Sequence, residues 1–208
     1  SGVDYSASEF VIVGMDNNVE VEITPKVRTQ NGHAAGTPFT IKLKAGQNYQ
    51  VRSHPSDGNA LSSPSGKTGD LSGSYVRVIN GCGKINVFCG NESAFVGGTC
   101  ANSRDHIYSQ CLPTTLLGKD FTLLPYKTLS KGYMYKVTAV KNSTVVKVNG
   151  TTVATLNTGE TYVGDVTTST EVCINTSNPA YCGQFMKSEN CYGTSTDADP
   201  DLVFIPDN

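Results

Sequence analysis

Residues 89–113, CGNESAFVGGTCANSRDHIYSQCLP, hold the side chains of this 208-residue chain best suited to chemistry. Cys89, Cys100 and Cys111 flank an Asp105-His106 pair, and Asn91-Glu-Ser forms a glycosylation-type sequon. Three chemistries fit these types: a thiol nucleophile, a metal centre, or a disulfide-stapled scaffold. A Cys-His nucleophile needs thiol and imidazole within reach, oxyanion donors and an orienting third group. His33 and His54 fall in loop-like segments, which leaves His106 as the one imidazole to consider. The expectation is a structural histidine that ties its loop by hydrogen bonds, with Asp105 capping a turn. No catalytic residue and no enzymatic activity are expected.

Metal chemistry fares similarly. The cysteines (Cys82, Cys89, Cys100, Cys111, Cys173, Cys182 and Cys191) form no CxxC pair and never take zinc-finger or zinc-ribbon spacing. Asp197, Asp199 and Asp201 alternate as at the start of a calcium loop. Yet Leu202 stands where an EF-hand requires glycine, and Asn208 where it requires a bidentate glutamate. Solvated turn acids are expected, with no cofactor; a melting temperature raised by calcium would be the sign otherwise.

Seven cysteines in a chain of this length point to an oxidising compartment and disulfides. The odd count leaves one thiol free or paired outside the chain. In EVCINTSNPAYCG, a turn at 176–179 would place Cys173 opposite Cys182, within disulfide reach. The rival is Cys182 with Cys191, which leaves Cys173 as a free thiol on an apolar strand. Sequons also occur at Asn142, Asn149 and Asn175, though a chain rich in Asn, Ser and Thr produces several by composition.

The elements that must carry these residues read as strands. Val19, Val21 and Ile23 alternate with Glu20 and Glu22, and Phe39, Ile41 and Leu43 with Thr40, Lys42 and Lys44. Such period-two runs describe half-buried antiparallel strands. Asn149-Gly150, between two β runs, is a hairpin signal because both residues accept positive φ. Residues 53–74, dense in Ser, Gly, Pro and Asp, read as a long surface loop.

The chain repeats itself. FVIVGMDNNVEVEI from Phe10 resembles YKVTAVKNSTVVKV from Tyr135, and FTIKLKAGQNYQV resembles VATLNTGETYVGD, aligning Gly46 with Gly159 and Tyr49 with Tyr162. SYVRVINGCGKINVFCG and TEVCINTSNPAYCGQF follow, each read as strand, turn, strand. The fold class is therefore all-β: two tandem antiparallel sandwich-like units, 1–112 and 113–208, packed together as part of a larger repeat domain. A propeller-like arrangement is the alternative, although its blades run nearer about 45 residues.

Charge and hydropathy exclude other classes. Sixteen basic against eighteen acidic residues mark no nucleic-acid or anionic-membrane binder. No stretch approaches the roughly 20 apolar residues of a membrane span. Ser1-Gly2 shows neither a methionine nor a signal peptide, which suggests a processed chain or an excised piece.

Unit pattern, order and the block CGNESAFVGGTCANSRDHIYSQCLPTTLLGKDFTLLP resemble the N-terminal domain of the IgGFc-binding protein family, found in metazoan mucus-associated proteins and Bacteroidetes-type surface proteins. Asp105-His106 is similar to its acidic/amide-His pair, Gln110 to its glutamine, Pro113 to its proline and Gly118 to its turn glycine. GQFMKSENCYGTSTDADPDLVFIP resembles the second unit's cysteine loop and Asp-Pro lead-in, with Asp199-Pro200 reading as that lead-in rather than a self-cleaving bond. Leu117 replaces the family's turn tryptophan, and the positions of Cys89 and Cys111 depart from its pattern, which implies a rewired disulfide arrangement. The resemblance implies an extracellular, secreted, non-enzymatic interaction module with protein or glycan ligands of mucus, matrix or cell surface. The alternative it allows is a carbohydrate- or host-protein-binding adhesin domain of a bacterial surface.

Overall fold

Val19, Val21 and Ile23 are each no more than 1% exposed, while Glu20 and Glu22 between them remain accessible, so the alternation becomes a strand with one buried face. The same rule operates along most of the chain. The computed structural model describes residues 7–54, 69–97, 100, 103–127, 129–193 and 198–208, and these contain fourteen strands and two short 3-10 turns. The first seven strands are β1 (Ser8–Gly14), β2 (Val19–Thr24), β3 (Phe39–Leu43), β4 (Asn48–Arg52), β5 (Tyr75–Val78), β6 (Ile85–Ala94) and β7 (Asp105–Gln110). A 3-10 turn at Thr114–Leu116 leads to β8 (Gly118–Leu123), β9 (Tyr133–Ala139), β10 (Thr144–Val148), β11 (Thr151–Leu156) and β12 (Thr161–Val166). The chain closes with β13 (Val172–Met186) and β14 (Asp201–Phe204).

The fold is all-β, and it is built twice. In the first half the sheets are β4-β1-β6-β7 and β3-β2-β5. In the second half a curled seven-stranded sheet follows the same plan, because the long β13 serves both layers. Its end, Ala180–Met186, lies between β9 and β14, so β12-β9-β13-β14 mirrors β4-β1-β6-β7. Its beginning pairs with β10 and β8, so β11-β10-β13 mirrors β3-β2-β5.

Turn chemistry repeats with it. Gly46 N–H donates to Gly14 C=O and Gly159 N–H to Ala139 C=O, both at 2.8 Å, with φ of 76° at either glycine. Asn17 Oδ1 accepts from Ala45 N–H as Asn142 Oδ1 accepts from Thr158 N–H. Asn149 (φ 48°) and Gly150 (φ 81°) form the expected tight turn between β10 and β11.

One expected turn is absent. VCINTSNPAYCG does not reverse direction; it runs on as β13 and changes partners, from β8 and β10 to β9, across a register shift between Asn175 and Ala180. Pro179 has no N–H for a ladder at the shift. Nearby, Ser177 Oγ accepts from Val145 N–H and Asn178 Nδ2 donates to Thr144 Oγ1. Cys173 and Cys182 thus lie nine residues apart on one strand, and the bridge expected between them cannot form.

Phe10, Ile12 and Val51 pack against Val19, Val21, Ile23 and Leu43 to make the first core, and Tyr133, Val137, Val146 and Ile174 anchor the second. Each fully buried aliphatic contributes about 1.5–3 kcal/mol. An exposed pair such as Lys42–Glu20, at 3.3 Å, contributes under about 1 kcal/mol, so the cores and not the surface charges hold the sheets.

A third cluster joins the halves. Ala94, Val96 and Ile107 from the first pack on Met134, Phe185 and Leu202 of the second. Val96 and Ser188 exchange two hydrogen bonds, and Asp70 reaches Lys136 Nζ at 2.5 Å. Cys100 is disulfide-bonded to Cys191 with Cα atoms 4.9 Å apart. That pairing also overturns the expected Cys182–Cys191 bridge.

Candidate interaction surface

Strand β7 carries the motif residues, and its alternation sorts them. His106, Tyr108 and Gln110 point outward, while Ile107 is buried. Antiparallel register extends this face across the sheet in rows: Arg52, Glu9, Gly90 and Tyr108 in one, and Gln50, Val11, Phe88 and Gln110 in the next.

Glu9 is the centre of the face. Only 6% exposed, it accepts from the Tyr108 hydroxyl at 2.7 Å and from Gln50 Nε2 at 2.7 Å, and its carboxylate lies 3.3 Å from Arg52 Nε. Arg52 also pairs with Glu92. A buried carboxylate is tolerable because two donors and the Arg52 charge converge on it. Burial, followed by the Glu9 charge, pushes the Tyr108 phenol well above its ordinary range, so it remains a donor at any physiological pH.

Gly90 makes the arrangement possible. A Cβ there would stand 1.8 Å from Ile107 O and 2.9 Å from Tyr108 Cδ2, so its missing side chain lets the tyrosine ring lie across β6. Tyr108 is held by its hydroxyl yet remains 38% exposed. Tyrosine and arginine are the residue types that protein-binding surfaces enrich.

The remaining motif residues make local contacts. Asp105 Oδ1 accepts from the backbone N–H of His106 at 2.7 Å and lies 3.2 Å from its ring Nδ1, at the start of β7 rather than in a loop. Gln110 Nε2 approaches Asn86 Oδ1 at 3.4 Å. Pro113 precedes the 3-10 turn, and Gly118 opens β8. The Asp207 carboxyl occupies the space beside Gly118, where it accepts from Lys119 and Asp120 N–H groups at 2.7 and 2.9 Å. Asp199 is exposed and Pro200 buried just before β14. Asp201 Oδ1 accepts from the adjacent Leu202 N–H, whereas Asp197 lies outside the described residues.

Among the cysteines, Cys82 and Cys173 are exposed, Cys89 and Cys111 are half-buried neighbours, and Cys182 is buried with its thiol pushed up to about 12 by desolvation. Of the sequon residues, Asn91 is 1% exposed, while Asn142, Asn149 and Asn175 are exposed. A hollow lined by Leu112, Leu117, Tyr181, Phe204 and Ile205 has room for about one water molecule. Small-molecule sites begin near roughly 300 Å³.

Glu9, Gln50, Arg52 and Tyr108 escaped the sequence reading, which concentrated on cysteines and the Asp-His pair. Their signal was there: Glu9 inside the apolar run SEFVIVG, and a glycine within strand β6.

A family model described as IgGFc binding protein matches residues 1–208, the whole chain. The chain belongs to the IgGFc-binding protein family. No curated protein matches it, and no solved structure does. Membership makes it a β-rich binding module of a family of binding domains, typically extracellular. Among the described residues, no helix is long and apolar enough to cross a membrane.

Proposed function

We propose that this IgGFc-binding family chain is a secreted, non-enzymatic adhesion module of mucus, matrix or cell surface. It grips a protein ligand through the outward face of β4-β1-β6-β7. The observation that carries this is Tyr108, seated over Gly90 and tied to a buried Glu9 that also engages Gln50 and Arg52. A ring immobilised before binding loses little conformational entropy on contact, which favours affinity. His106 and Gln110 extend the face along β7 without entering the Glu9 network.

The test is binding of labelled chain to a panel of immunoglobulin Fc, serum and mucus proteins, and a glycan array, with and without Tyr108→Ala. Immunoglobulin Fc belongs in the panel because the family description names it. The expected result is capture of a protein ligand, weakened tenfold or more by Tyr108→Ala and several-fold by His106→Ala, with unchanged circular dichroism. Equal binding by Tyr108→Ala would remove this face from consideration. Capture by the glycan array alone would replace the protein-binding reading with a carbohydrate-binding one.

A further inference from the structure

Outside the interaction face, the structure brings two thiols together where β6 and β7 meet the second half. Cys89 lies opposite Ser109, and Cys111 donates its N–H to Val87 C=O at 2.8 Å. In an antiparallel ladder those two pairs put Cys89 and Cys111 diagonally on the same face. Diagonal neighbours on one face lie within reach of each other's side chains. We propose that Cys89 and Cys111 form a second disulfide, closed by exchange with a small disulfide such as oxidised glutathione.

Three features support it. A diagonal pair needs its Cα atoms drawn in, to about 4.4–6.8 Å, before the sulfurs can bond. Cys111 is the residue able to move, because it stands just past the end of β7 and leads into the irregular segment before the 3-10 turn. Second, the two thiols are not equivalent. The neighbouring Cys89 side chain holds the Cys111 thiol below its ordinary value, against its burial, while Cys111 and burial push Cys89 up. Cys111 is therefore the attacking sulfur and Cys89 the resolving one. Third, both are half-buried, so a small disulfide can approach.

The exchange balances in two steps. Cys111 thiolate attacks one sulfur of the small disulfide, whose S–S bond breaks and releases one small thiolate. Cys89 then attacks the Cys111 sulfur of the mixed disulfide, expels the second small thiolate and passes its proton to it. Two protein thiols are oxidised and one small disulfide is reduced to two thiols. The new bond would fasten the end of β7 to β6 beside Tyr181, whose hydroxyl donates to Leu112 C=O.

The test incubates the purified full chain in glutathione buffers from reducing to oxidising, quenches in acid, and labels thiols under denaturing conditions. Mass mapping follows. With only Cys100–Cys191 closed, five thiols take label; with the second bridge, three do, and a Cys89 peptide is linked to a Cys111 peptide. Separately, Cys89→Ser should trap Cys111 as a stable glutathione mixed disulfide. Five labelled thiols in fully oxidising buffer, or Cys111 linked to Cys82, Cys173 or Cys182, would overturn the proposal. Mapping the unaltered chain decides this even if Cys89→Ser fails to fold.

Discussion

Cys100 and Cys191 are bonded across 91 residues of sequence, joining the loop after β6 to the 3-10 turn after β13. The closed loop spans most of the second half, so the bridge restrains the unfolded chain strongly. Loop-closure entropy for a ring this long is about 4–5 kcal/mol.

Cys191→Ser should therefore lower the melting temperature by about 10–15 °C, at roughly 2–4 °C per kcal/mol for a chain this size. Reductant should do much the same. Gly97→Ala is expected to approach that loss, because the residue has φ 123° and its new Cβ would stand 2.4 Å from Cys191 Sγ. Calorimetry of the variants checks this; a Cys191→Ser protein melting within about 2 °C of the parent would refute it.

Asp70 and Lys136 give the junction an acid sensitivity. Burial alone would raise the Asp70 carboxyl, but the Lys136 ammonium and hydrogen bonds from Lys136 and Ser72 outweigh it, and the folded pKa lies below 3.8. A carboxyl depressed on folding contributes stability that is complete above its unfolded value and is lost as pH falls through the folded one. The pair should thus stabilise the protein fully above about pH 5 and fade below pH 3.8. Asp70→Asn should destabilise at pH 7 and flatten the stability curve in acid. Parallel curves for parent and variant between pH 5 and 2.5 would contradict this assignment.

Sequon occupancy should follow exposure. Asn91 is 1% exposed, with Oδ1 accepting from Ser93 N–H, and has no room for a glycan. Asn142 and Asn149 engage neighbours through Oδ1 in exposed turns, whereas Asn175 commits Nδ2 to Asp120 at 2.6 Å. Expression through a eukaryotic secretory route should glycosylate Asn142 or Asn149 first, Asn175 less and Asn91 not at all. Glycopeptide mapping reads the order directly, and a filled Asn91 would break it.

Gly90→Val should disrupt the interaction face and destabilise the fold. The added side chain collides with Ile107 O and the Tyr108 ring, so Tyr108 must leave Glu9. A loss of about 2–4 kcal/mol is expected from the backbone clash and the exposed network. The smaller Tyr108→Phe change removes only the hydroxyl bond to a charged acceptor and should cost about 1.5–3 kcal/mol. Urea titration measures both; a Tyr108→Phe midpoint equal to the parent's would show that the hydroxyl does not hold the ring.

The sequence by itself determined what is local. Alternation in VEVEI and FTIKL produced β2 and β3, Asn149-Gly150 produced its turn, and the match of Phe10–Ile23 to Tyr135–Val148 reappears as paired strand orders with the same turn hydrogen bonds. These are legible because side-chain period and turn conformation depend on a few neighbouring residues. The family resemblance was likewise legible in contiguous residues, and the family model matches 1–208. Partner choice was decided only in three dimensions. Thr176–Pro179 has turn composition, yet β8, β9 and β10 supply pairing on both sides and keep β13 extended. Cys191 found Cys100 because Ala94, Val96 and Ile107 bury themselves on Met134, Phe185 and Leu202 and bring two distant loops together. Glu9 gained Arg52, Gln50 and Tyr108 from strands 41 to 99 residues away. No local pattern encodes which strand lies next to which; the burial of apolar faces against one another does.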